Sequence, residues 1–139
     1  MTTIFADAKK GVMVCESKTT LGGTWFASTK VHRIGDDLVG FAGYRAEALK
    51  WIDWFTNGKR GPQPKINNSE ALILSSEGLL YIDGTGESNP IERGYFGIGT
   101  GGPIAVGAFM AGADAKKAVE IACQVDANSG GAIYVHKLK

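Results

Sequence analysis

MTTIFADAKKG, residues 1–11, opens the chain, and the reading of its two threonines governs the reading of everything after them. The side chain of Thr2 is small, which makes Met1 a target for removal, and removal would leave a threonine carrying a free α-amino group beside its own hydroxyl. A single residue would then supply a nucleophile and a base. The competing reading is structural, because threonine favours strands and TTIFADA reads as an ordinary sheet edge.

The chain has 139 residues, of which 44% are hydrophobic and 21% charged, enough to bury a core as one globular domain spanning residues 1–139. Net charge is +1 and no lysine or arginine block exceeds two residues, so the electrostatic footprint of a nucleic-acid or anionic-membrane binder is missing. No apolar run reaches membrane-spanning length, and the first residues lack the basic start and apolar core of a signal peptide; the expected location is cytoplasmic. Cys15 and Cys123 lie in apolar contexts (VMVCES, VEIACQV) and read as buried free thiols. His32 and His136 are isolated, no serine sits in a nucleophile elbow and there is no P-loop, so no metal or cofactor is expected.

Residues 2–7 and 11–15 are β-branched and apolar on both faces, which predicts a hairpin covered on both sides with its turn at Lys9-Lys10-Gly11. A second strand pair is expected from WFASTKVHRI (25–34) and LVGFAG (38–43). From Arg45 the period changes, with Ala48, Trp51, Ile52 and Phe55 on one helical face and a stop at Asn57-Gly58. Another hairpin follows, ALILSS and LLYIDG around Glu77-Gly78, then a strand in YFGIG (95–99). Two helices are predicted over Gly102 to Ala111 and Asp114 to Val125, the second with Ala118, Ile121, Ala122 and Val125 on one face and Asp114 as its cap. GGAIYVHKL (130–138) closes the chain as a strand. This order of strands, helix, strands, two helices and strand suggests an α+β protein with antiparallel sheets layered between helices.

Taken in order and spacing, TTIFADAKKG, TLGG, STKV, GFAGYRAEA, GIGTGG and DANSGG resemble the N-terminal-nucleophile hydrolases, and within them the proteasome β-subunit family with its bacterial HslV-type peptidases. The resemblance runs nearly end to end. It implies a four-layer αββα sandwich and a threonine endopeptidase subunit of a self-compartmentalising homo-oligomeric ring acting on peptides or unfolded proteins. Any ATP-driven unfolding would come from a separate ATPase. By the same resemblance, Thr2 is the nucleophile and its amine, near neutrality in pKa, the base. Lys30 in STKV is the buried lysine whose charge lowers neighbouring pKa values, with Glu16 its acidic partner. Gly43 in GFAGYRAEA is the oxyanion donor, and Thr100, Asp126 and Ser129 orient the nucleophile and its amine. Gly97, Gly99 and Gly102 also satisfy G-x-G-x-x-G, but that fingerprint should open a βαβ unit with an acidic residue at the end of its next strand, and here two helical stretches and one strand follow.

The sequence departs from the family in three places. Glu16 stands where the family has aspartate, Thr100 where it has serine, and no long second helix fits between Phe55 and ALILSS. A retained Met1 would turn the amine of Thr2 into an amide, which cannot act as a base. Two alternatives therefore remain at the level of sequence: a catalytically inactive ring scaffold, and an N-terminal-nucleophile hydrolase of small amides.

Overall fold

The computed structural model describes residues 2–139, and the expectation about Met1 lies outside them. The opening hairpin forms as expected: β1 (Ile4–Asp7) and β2 (Val12–Cys15) pair antiparallel, with Ile4 opposite Cys15. Both faces are apolar because both are covered. Ile4, Ala6, Met13 and Cys15 enter a core between two sheets, whereas Phe5 and Val14 enter another beneath helices. Addition of β10 (Tyr95–Ile98) and β11 (Tyr134–Lys137) gives a four-stranded antiparallel sheet in the order β10-β1-β2-β11.

The second sheet is an antiparallel meander of five strands, β5 (Val31–Ile34), β6 (Asp37–Ala42), β7 (Glu70–Ser75), β8 (Gly78–Ile82) and β9 (Ser88–Pro90). Its strands alternate as period two requires. Leu38, Leu72 and Leu74 face the first sheet, while Val39, Phe41, Ala71 and Ile73 face the helix α1 (Arg45–Thr56). Trp51 anchors α1, fully buried among Phe41, Trp54 and Phe55. On the far side, α2 (Gly102–Met110) and α3 (Ala115–Val125) cover Phe5 and Val14. Helix, sheet, sheet and helices make the four layers that the family resemblance implies, each large core side chain contributing roughly 1.5–3 kcal/mol of burial.

Two expectations need correction, and two strands are new. WFASTKVHRI is not one strand: β4 (Thr24–Ala27) turns back across Gly22-Gly23 onto β3 (Lys18–Leu21) as a separate ribbon, and β5 begins only at Val31. The interruption at Ser28–Lys30 lets Lys30 turn inward, which strict alternation through the segment would not arrange. Neither β3 nor β9 is anticipated by the sequence reading. On α3 the buried stripe is Ala115, Ala118, Val119 and Ala122, with Val125 65% exposed, because small side chains bring α3 down onto the sheet along that line.

Residues 57–69 contain no helix, as the shortened sequence suggests. Two indoles bind this loop to α1, Trp51 Nε1 donating to the Pro64 carbonyl at 3.0 Å and Trp54 Nε1 to that of Gly61 at 3.2 Å. Cys15 is buried, Cys123 half-buried, and both are free; burial pushes each thiol up to about 11. Among the described residues no helix is long and apolar enough to cross a membrane, and no group of three metal-ligating side chains converges.

Candidate active site

Thr2 and Thr3 lead into β1 and are both buried. Lys30, at the break between β4 and β5, is buried too, and its ammonium donates to Thr2 Oγ1 at 3.1 Å, Glu16 Oε1 at 2.6 Å and the Lys18 carbonyl at 2.5 Å. Glu16, just past β2, is wholly inaccessible, and burial of an unpaired carboxylate would be prohibitive. Its oxygens are fully engaged. Oε1 accepts from Lys30 and from the Thr3 N–H at 3.1 Å, while Oε2 accepts from the backbone N–H groups of Lys18 and Gly130, each at 3.0 Å. Glutamate in place of the aspartate expected from the family is therefore integrated into its surroundings, its longer arm reaching the Gly130 backbone near the end of the chain.

Asp126 caps the end of α3, so the DANSGG stretch is a helix-terminating turn and a polar cluster at once. Asp126 Oδ2 accepts from the Thr100 hydroxyl at 2.6 Å and the Ser129 hydroxyl at 2.7 Å, and Oδ1 from the Asn128 N–H at 3.1 Å. Burial opposes its charge, but these donors outweigh that and hold the carboxyl below its ordinary range. Ser129 Oγ also lies 2.7 Å from Thr3 Oγ1. From the sequence, Asp126 and Ser129 are expected around Thr2 and no role falls to Thr3; nothing beside it in the sequence signals its contact with Ser129.

Gly43 occupies the junction of β6 and α1 at φ +129°, a left-handed-side conformation open to glycine. A Cβ there would lie 2.5 Å from both the Asn68 carbonyl oxygen and Ser69 Oγ. Ser69 Oγ accepts from the Tyr44 N–H at 3.1 Å and donates to Glu47 Oε1 at 2.6 Å, fixing the start of α1. In the GIGTGG turn, Gly101 donates its N–H to the Thr2 carbonyl at 3.1 Å. Side chains are excluded at Gly99 and Gly101: a Cβ at Gly99 would sit 2.2 Å from the Thr2 carbonyl oxygen, and one at Gly101 1.8 Å from Thr3 Oγ1. Gly99 and Gly101 make room for Thr2 and Thr3, while Gly97 and Gly102 face each other across the turn, a physical reason for the pattern that needs no nucleotide.

Two clefts flank Thr2, and Gly43 lines both. One, of about 820 Å³, is walled by Phe26, Phe41, Ala48 and Ile52 with His32, whose ring burial keeps its pKa below the ordinary value and thus neutral at pH 7. The other, of about 420 Å³, has Asn68, Glu70 and Tyr81 among its walls. An ammonium in contact with the Thr2 hydroxyl favours its deprotonated form, which is what nucleophilic attack requires. Thus Thr2, Glu16 and Lys30 form one connected group, Thr100, Asp126 and Ser129 a second joined through Thr3, and Gly43 faces the clefts beside Thr2.

No family model matches the chain. Curated relatives do: the ATP-dependent protease subunit HslV of Lacticaseibacillus casei (strain BL23) is 32% identical, over 91% of this chain and 93% of the relative. That of Geobacillus kaustophilus is 29% identical over 99% and 97%. Among solved structures, eukaryotic HslV from Trypanosoma brucei superposes with a TM-score of 0.75 at 26% identity, covering 96% of this chain and 97% of that one. Thiobacillus denitrificans BPH in complex with epoxomicin shares the fold, with a TM-score of 0.77 at 18% identity and 99% of each chain covered. By sequence and by fold, the chain belongs to the HslV family of proteasome β-type N-terminal-nucleophile peptidases.

Proposed function

We propose that this protein is a threonine endopeptidase subunit of a proteasome-like ring, cleaving peptides or unfolded proteins in the cytoplasm. The observation that carries this reading is the Lys30 ammonium held between Glu16 Oε1 at 2.6 Å and Thr2 Oγ1 at 3.1 Å. With Met1 removed, the Thr2 hydroxyl attacks the scissile carbonyl while its α-amino group, directly or through a water, accepts the hydroxyl proton. The Gly43 N–H donates to the oxyanion, and the proton then passes to the departing amine. Water admitted to the same base hydrolyses the acyl-enzyme ester and restores Thr2. Thr100, Asp126, Ser129 and Thr3 orient the amine and its strand. The names of the relatives, ATP-dependent protease subunits, support a separate ATPase partner that unfolds substrates.

The test is intact mass of the purified protein before and after a peptide epoxyketone, which bonds to both the hydroxyl and the free amine of an N-terminal threonine. Expected are the loss of one methionine and one inhibitor adduct, with both adduct and peptide turnover abolished in Thr2→Ala. Retained methionine without adduct would instead establish an inactive scaffold. Cleavage of small amides alone by a monomer would establish the third reading.

A further inference from the structure

Thr2 leads into the first sheet and Gly43 directly follows a strand of the second, so their separation depends on whatever ties the two sheets at this edge. Glu70 stands at that place. It is the first residue of β7 and lies opposite Ala42, the residue before Gly43. Its side chain leaves its own sheet, and Oε2 accepts the Gly99 N–H at 2.9 Å. Oε1 accepts the Tyr81 hydroxyl at 2.8 Å, from a diagonal neighbour on β8. The Tyr81 ring in turn meets Phe96 of β10, with ring centroids 5.1 Å apart. Gly99 begins the turn from which Gly101 binds the Thr2 carbonyl and Thr100 binds Asp126.

We propose that Glu70, braced by Tyr81, is a positioning residue that holds the 99–101 turn, and through it Thr2, at working distance from Gly43; this rests on the peptidase reading above. A carboxylate suits the task because its two oxygens accept two donors at once, and a charged acceptor strengthens each bond. Burial and the bond to Glu70 raise the Tyr81 phenol, so it remains a donor throughout the neutral range. Glutamine at 70 has one acceptor oxygen and would turn an N–H₂ toward one of the two donors.

The experiment compares wild type, Glu70→Gln and Tyr81→Phe by steady-state turnover of a fluorogenic peptide and by hydrogen exchange, read by mass spectrometry, over residues 97–101. For Glu70→Gln, kcat is expected to fall about 10- to 100-fold with KM held within about twofold, since small displacements of reacting groups are costly. Exchange over 97–101 speeds up, and Tyr81→Phe shifts both readouts in the same direction by less. A purely structural role predicts a lower melting temperature with unchanged kcat, which overturns the proposal. A change in KM alone also overturns it, because Glu70 would then be touching substrate. Unchanged exchange in Glu70→Gln overturns the clamp itself. Should that variant not fold, Tyr81→Phe decides: unchanged kcat and exchange overturn the proposal. Wild-type protein that gives neither turnover nor epoxyketone adduct, yet shows the exchange difference, overturns the peptidase reading and the positioning role with it while leaving the clamp in place.

Discussion

Lys30 and Glu16 illustrate how a single methylene is accommodated. The longer acid keeps the ion pair and spends its extra reach on the Gly130 and Lys18 amides, so the departure from aspartate leaves Lys30 against Thr2. In Lys30→Ala, peptide turnover is expected to vanish and Glu16 is left buried without its cation. Its three backbone donors remain, so the loss in urea unfolding falls at the low end for a broken buried pair, about 3 kcal/mol. Asp126 provides a pH prediction. Its folded value lies below the ordinary 3.8, so the stability it contributes is fully present above that ordinary value and disappears only as pH falls through the lower folded one. Thermal midpoints of wild type and Asp126→Asn should therefore differ at neutral pH and converge only in strong acid. At this scale the family motifs make Lys30, Glu16, Asp126 and Ser129 legible. Thr3 is not, since nothing in its neighbours announces that a hydroxyl from the far end of the chain will meet it.

Periodicity carries the elements wherever burial is regular. β1, β2, β6, β7 and α1 are readable because each presents an unbroken apolar face or faces to a core. The β3–β4 ribbon is hidden in the sequence because β4 is exposed along its whole length and buries no face to leave a pattern. α3 is readable as a helix, but two overlapping apolar stripes compete in it, and the alanine-rich one wins by allowing closer approach. Its start is well defined: Asp114 Oδ1 accepts from the Lys117 N–H at 2.8 Å. Asp114→Ala should lower unfolding free energy by about 1 kcal/mol, measured by urea titration, with kcat unchanged because α3 keeps its packing.

For the molecule as a whole, strand order and the two-sided apolar strands point to antiparallel sheets layered between helices, and the family resemblance to four layers, whereas assembly does not follow from one chain's core. Membership of the HslV family supports a homo-oligomeric ring. Light scattering on the purified protein should give a mass several times the 14.7 kDa subunit, and Thr2→Ala should leave that mass unchanged. A monomer would overturn both the ring peptidase and the ring scaffold. At 57–69, where the family resemblance implies a helix, the chain is a loop bound to two tryptophans, so a ring built from this subunit would present that loop there.

The hydroxyls of Thr3 and Ser129 meet across 126 residues, and Gly130 feeds the carboxylate behind Lys30. A chain still leaving the ribosome therefore presents its threonine long before the groups that would arm it have been synthesised. For a threonine peptidase, translation order would act as a safety catch, because the surroundings of Thr2 are complete only once the segment carrying Ser129 and Gly130 has folded back onto them.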